Sequence, residues 1–152
     1  MTSAAKIPPL LRPQPGPDTL KVTRWGGRRL GALRGGADLR DRTVGESWEF
    51  STLPGSESAA CGRPLGAVLG APLPFLAKLI DTALPLSIQV HPDDRPDPER
   101  PGALLPGKEE AWVILAADPG ARLWAGLRPG LTRAALAEAA RAGDPLVTCL
   151  EE

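Results

Sequence analysis

The sequence is short of the residues that staple folds or cage metals. Its only cysteines, Cys61 and Cys149, are too few for a disulfide framework and form no C-x-x-C clip, so reduced thiols in a cytoplasmic setting are expected. It also lacks a charge excess: 18 basic side chains face 18 acidic ones. That balance gives no electrostatic footprint for nucleic acid or an anionic membrane, though a local cluster is enough for a small anion. Long apolar runs are missing too. The apolar region 65–90 is broken by Pro72, Pro74, Lys78, Asp81 and Pro85, and the opening MTSAAKIPPLLRPQPG is broken by prolines. The first break excludes a membrane-spanning helix there, and the second excludes the apolar core of a signal peptide. Histidine occurs once, as His91.

What is present is 18 prolines and 17 glycines in a chain of 152 residues. They punctuate short apolar runs, which favours a single β-rich domain with many turns over disorder. Residues 1–19 read as an extended Pro-rich segment, with Leu10 and Leu11 as anchors. A short strand is expected from Leu20, before Gly26-Gly27, with Trp25 packed beneath a basic turn. Alternation over 44–51 predicts a strand with Glu46, Trp48 and Phe50 on one face and Ser47, Glu49 and Ser51 on the other. Residues 65–71 fit either a short helix or a buried turn. Pro74 followed by Phe75, Leu76, Leu79 and Ile80 at three- and four-residue spacings predicts one to two helical turns. Later come a Pro-rich exposed loop over 92–107, a strand at 107–115, a turn at Asp118-Pro119-Gly120 and a strand at 121–127. Thr132 caps a helix that stops at Gly143-Asp144-Pro145, and a β-like run begins at 146.

The stretch Pro85-Leu86-Ser87-Ile88-Gln89-Val90-His91-Pro92-Asp93-Asp94 holds the single histidine. As a strand it puts Leu86, Ile88 and Val90 on one face and Ser87, Gln89 and His91 on the other. A lone histidine so placed is commonly a hydrogen-bonded rim residue; it becomes a ligand only in company. Company comes from Gly107-Lys108-Glu109-Glu110-Ala111-Trp112, where Lys108, Glu110 and Trp112 share one face and Glu109 points the other way with Ala111 and Val113.

Four stretches together resemble the type I phosphomannose isomerases: Trp-Gly-Gly at 25–27, GESWEFS at 45–51, LSIQVHPDD at 86–94, and the Gly-Lys-x-Glu-x-Trp pattern at 107–112. The apolar-Lys-apolar-Ile-Asp run before Pro85 extends the likeness upstream. The resemblance implies a mainly β, cupin-like jelly roll, incomplete here, with a few short helices. It implies residues 20–152 as the amino-terminal part of the catalytic domain. It further implies Gln89, His91 and Glu110 as ligands of Zn2+, and Ser87 and Lys108 as contacts to a sugar phosphate. The reaction implied is zinc-dependent interconversion of mannose 6-phosphate and fructose 6-phosphate by proton movement between C1 and C2.

The family's fourth ligand histidine, in a Gly-Thr-x-His-Ala-like motif, and its catalytic arginine have no counterpart among these 152 residues. Truncation, a missing half supplied by another chain, and a half-length relative that binds without isomerising are all compatible with that. A half-roll leaves sheet edges open, so a second chain or self-association covering them is expected. The alternative from a different class is a non-catalytic cupin-like protein that binds metal or sugar phosphate.

Overall fold

The computed structural model describes residues 13–152, so the readings made for residues 1–12, including Leu10 and Leu11, lie outside it. The chain divides into two compact units, Met1–Leu86 and Ser87–Glu152.

The first unit runs β1 (Leu20–Val22), α1 (Arg29–Arg34), α2 (Gly36–Leu39), β2 (Val44–Phe50), β3 (Ala59–Ala60), β4 (Arg63–Pro64), α3 (Leu65–Leu69) and β5 (Ala77–Ile80). Its sheet is antiparallel in the order β1-β2-β5. The alternation read over 44–51 is the alternation observed. On one face Glu46 accepts a hydrogen bond from Trp48 Nε1 at 2.7 Å and pairs with Lys78 at 3.3 Å, while Lys21 lies over the Trp48 ring at 4.6 Å. On the other, Ser47 donates to Glu49 at 2.7 Å and Arg34 pairs with Glu49 at 3.1 Å. Both glutamates are therefore tied into the central strand of the sheet.

The core beneath this sheet is small. Val44 and Leu65 are fully buried, with Leu30 and Ala60 nearly so, and the remaining volume is filled by the hydroxyl side chains of Thr19, Ser47, Ser51 and Ser58. Buried hydroxyls are generally bonded. Thr19 donates to Gly16 O at 2.7 Å, and Ser58 accepts from Ser51 N and donates to Trp48 O, each at 3.0 Å.

Three local readings are settled differently or more finely by this packing. The helix expected over 75–84 is a strand instead, β5, because one or two helical turns carry a nucleation cost that a ready ladder on β2 avoids. Residues 65–71, open between helix and turn, form α3, ended by Gly70 in the left-handed conformation at φ 76°. The basic turn after Gly26-Gly27 continues into α1, which no apolar periodicity announced. Its first turn is held from afar, with Asp81 Oδ2 accepting from Arg29 N at 2.7 Å. Gly26 is required nearby, since a Cβ there would sit 2.6 Å from Gly45 N.

The second unit contains β6 (Arg95–Pro96) paired with β7 (Leu104–Leu105), and α4 (Arg133–Ala142). The helix is bounded as its sequence predicts: Thr132 Oγ1 accepts from Ala135 N at 3.1 Å and Gly143 takes φ 77°. The strands expected at 85–94 and 107–115 form no ladder, and the backbone of the run 121–127 joins the tail only over its last residues, where Ala125 N donates to Glu151 O at 3.0 Å, Glu151 N donates to Gly126 O at 3.3 Å and Leu127 bridges to Leu150. The tail turns through a 3-10 helix, Leu146–Cys149, before that bridge.

A closed jelly roll is thus not formed by the described residues, which make small sheets with few helices. The physical reason is visible in exposure: Val90, Val113 and Leu115, which alternation places opposite His91 and Glu110, are 86%, 81% and 77% exposed. A strand pattern needs both a hydrogen-bonded neighbour and a second layer to hold it. Neither is in place beside these runs. No helix among the described residues is long and apolar enough to cross a membrane.

Candidate metal and anion site

Two loop segments of the second unit meet at His91. Lys108 N donates to Pro92 O at 3.1 Å, and Asp94 Oδ1 accepts from Gly107 N at 2.6 Å. Gly107 makes this approach possible, because a Cβ on it would come within 2.6 Å of Pro92 O and 2.8 Å of Asp93 C. Neither Asp94 nor Gly107 stood out beforehand as a positioning residue; the glycine of PGKEE was the one available signal.

The docking places three polar side chains together. His91 Nε2 lies 2.5 Å from Glu110 Oε2, Lys108 Nζ lies 3.3 Å from His91 Nε2, and Lys108 Nζ lies 3.5 Å from Glu110 Oε1. The His91 and Glu110 side chains are 24% and 23% exposed, half sheltered yet open to a small solute, and Lys108 is 51% exposed. Lys108 and Glu110 reach the same point while Glu109 takes no part, as expected of residues two apart. The Glu110 carboxyl is held below the usual carboxylate range chiefly by its hydrogen bond to His91, which outweighs the opposing effect of burial, with Lys108 adding a smaller lowering. It therefore stays ionised at neutral pH, the form in which a carboxylate binds a cation.

The other two residues singled out by sequence pair with each other: Gln89 Nε2 donates to Ser87 Oγ at 3.2 Å. That bond uses the amide nitrogen and leaves Gln89 Oε1 as the donor of metal-binding character. Imidazole nitrogen, carboxylate oxygen and amide oxygen make a donor set suited to Zn2+. Among the described residues, no three His, Cys, Asp or Glu side chains gather closely enough to hold a metal, and Gln89 bonds to Ser87 rather than to His91 or Glu110.

A second acidic anchor lies nearby in the chain and is structural. Asp97 accepts from Glu99 N at 2.9 Å and Arg100 Nε at 2.6 Å, and these bonds, the backbone one foremost, hold its carboxyl below the usual range. It fixes the turn leading from β6 to β7.

The comparisons with known proteins agree with the resemblance read from sequence. Residues 41–103 match the family model described as phosphomannose isomerase type I, catalytic domain. The matched stretch runs from before β2 through Ser87, Gln89 and His91, and ends before Lys108 and Glu110.

Among individual relatives, the chain is 34% identical over 118 residues to the mannose-6-phosphate isomerase of Streptococcus mutans, covering 65% of this chain and 35% of that protein. It is 31% identical over 115 residues to the putative mannose-6-phosphate isomerase YvyI of Bacillus subtilis, covering 65% of this chain and 36% of the relative. It is also 31% identical over 119 residues to the probable mannose-6-phosphate isomerase GmuF of the same organism, covering 68% and 37%. The chain spans about a third of the length of these curated relatives. No solved structure gives a significant match.

Proposed function

We propose that residues 20–152 are the amino-terminal part of a cupin-like mannose-6-phosphate isomerase catalytic domain and contribute its metal- and sugar-phosphate-binding residues. The observation that carries this reading is the meeting of His91, Glu110 and Lys108, with distances of 2.5, 3.3 and 3.5 Å, in a chain whose residues 41–103 match that family. His91 and Glu110, with Gln89 through its Oε1, are the residues that would hold Zn2+. Bound there, zinc supplies Lewis-acid stabilisation of negative charge on substrate oxygens. Lys108 supplies a positive charge of the kind that engages a phosphate or a sugar oxygen, and Ser87 would supply a hydroxyl to the sugar phosphate. The reaction served is exchange of mannose 6-phosphate and fructose 6-phosphate, in a cytoplasmic setting. Completion of the site falls to a further part of the fold that covers the exposed Ile88, Val90, Val113 and Leu115.

Calorimetric titration of the zinc-loaded chain tests the substrate assignment. Mannose 6-phosphate is expected to bind and mannose to bind at least about tenfold more weakly, since a charge-assisted contact to phosphate is worth about 1.5–3 kcal/mol. Equal binding of the two sugars, or none, would contradict it.

A further inference from the structure

Lys108 is placed where a cation belongs, and this has a consequence for metal loading. Its ammonium sits 3.3 Å from His91 Nε2 and 3.5 Å from Glu110 Oε1, so it already spans one atom of the imidazole and one of the carboxylate. The imidazole nitrogen has one in-plane bonding direction. It can donate a proton to Glu110 or accept one from Lys108, but it cannot do both at full strength. Glu110 Oε2, at 2.5 Å from the same nitrogen, competes for it. Two partners therefore contend for Nε2, and the lysine is the more loosely held, being half exposed on a flexible stem.

We infer that Lys108 acts as a resident counter-cation of the His91–Glu110 pair, which must swing out for a divalent cation to be held there. The inference rests on the metal reading above and adds to it an antagonism inside the site: the ammonium lowers the affinity for zinc in the free chain. Once displaced, the same ammonium is free of its intramolecular carboxylate and available to an anion. Lys108 is thus a positioning residue for loading order, with zinc first and the anion second, because the anion's partner is released only as the pair is taken up.

Zinc affinity by chelator competition, measured on the full 152-residue chain and on Lys108→Met, Lys108→Gln and Lys108→Arg, tests this. The two neutral variants are expected to bind zinc about five- to tenfold more tightly than the unsubstituted chain, since zinc no longer has to break an ammonium–carboxylate attraction worth about 1 kcal/mol in water-like surroundings. The arginine variant keeps the charge and is expected to stay within about twofold of the unsubstituted chain. A purely structural role for Lys108 would move all three variants the same way, towards weaker binding, and would overturn the inference. Zinc binding that is equal in the neutral variants and the unsubstituted chain would overturn it while leaving the metal reading intact. Absence of zinc binding in every protein would overturn the metal reading and the inference with it.

Discussion

His91→Ala is expected to weaken zinc binding more than about 100-fold, because even the outer partners of metal ligands cost about 10–100-fold when removed. No other imidazole exists in the chain to replace it. Glu110→Ala should behave similarly, since it removes the carboxylate that lies 2.5 Å from Nε2 and leaves only neutral donors to hold a dication. Glu109→Ala is the internal control. Its neighbour, not Glu109 itself, enters the cluster with His91 and Lys108, so affinity should stay within about twofold, the range of ordinary surface substitutions. Metal stoichiometry of the three purified variants checks the set. Loss of metal in Glu109→Ala with retention in Glu110→Ala would place the wrong glutamate in the site.

Leu65→Ala is expected to destabilise the first unit by about 2–5 kcal/mol. Leu65 and Val44 are the two fully buried large apolar side chains there, and beyond Leu30 and Ala60 the rest of the closed core is made of serine and threonine hydroxyls. The hydroxyls of Thr19, Ser51 and Ser58 are tied to fixed backbone partners and cannot slide into the space a deleted isobutyl group leaves. The loss is large against a total stability of about 5–15 kcal/mol for a domain of ordinary size. Urea unfolding followed by tryptophan fluorescence measures it, with Trp48 on the adjacent sheet as reporter. A shift below about 1 kcal/mol would show that the site collapses more freely than this packing implies.

How legible an element is in the sequence follows from where its partners lie. The strand at 44–51 was readable because its alternation reflects a real two-faced sheet position, and the cap and stop of α4 were readable because Thr132 and Gly143 act on their own backbone. Phe75, Leu76, Leu79 and Ile80 misled because three- and four-residue spacing also fits a short half-buried strand, and the choice was made by β2, far away in sequence. The runs 86–90 and 111–115 carry a strand pattern whose partners are not beside them, so pattern and observed structure part company there. The cluster of His91, Lys108 and Glu110 was legible from parity combined with family likeness, whereas the Asp94-to-Gly107 bond that draws the two segments together follows no spacing rule.

The pairing of His91 with Glu110 as a metal-binding unit is tested most directly by the imidazole nitrogen resonances of the one histidine, followed as zinc is added to the 15N-labelled chain. Because Nε2 faces Glu110 and Lys108, the Nε2 resonance is expected to make the large response, saturating at one equivalent of zinc. Zinc uptake that leaves both ring nitrogens of His91 unmoved, or that moves Nδ1 as the ligating atom, would contradict the site described here.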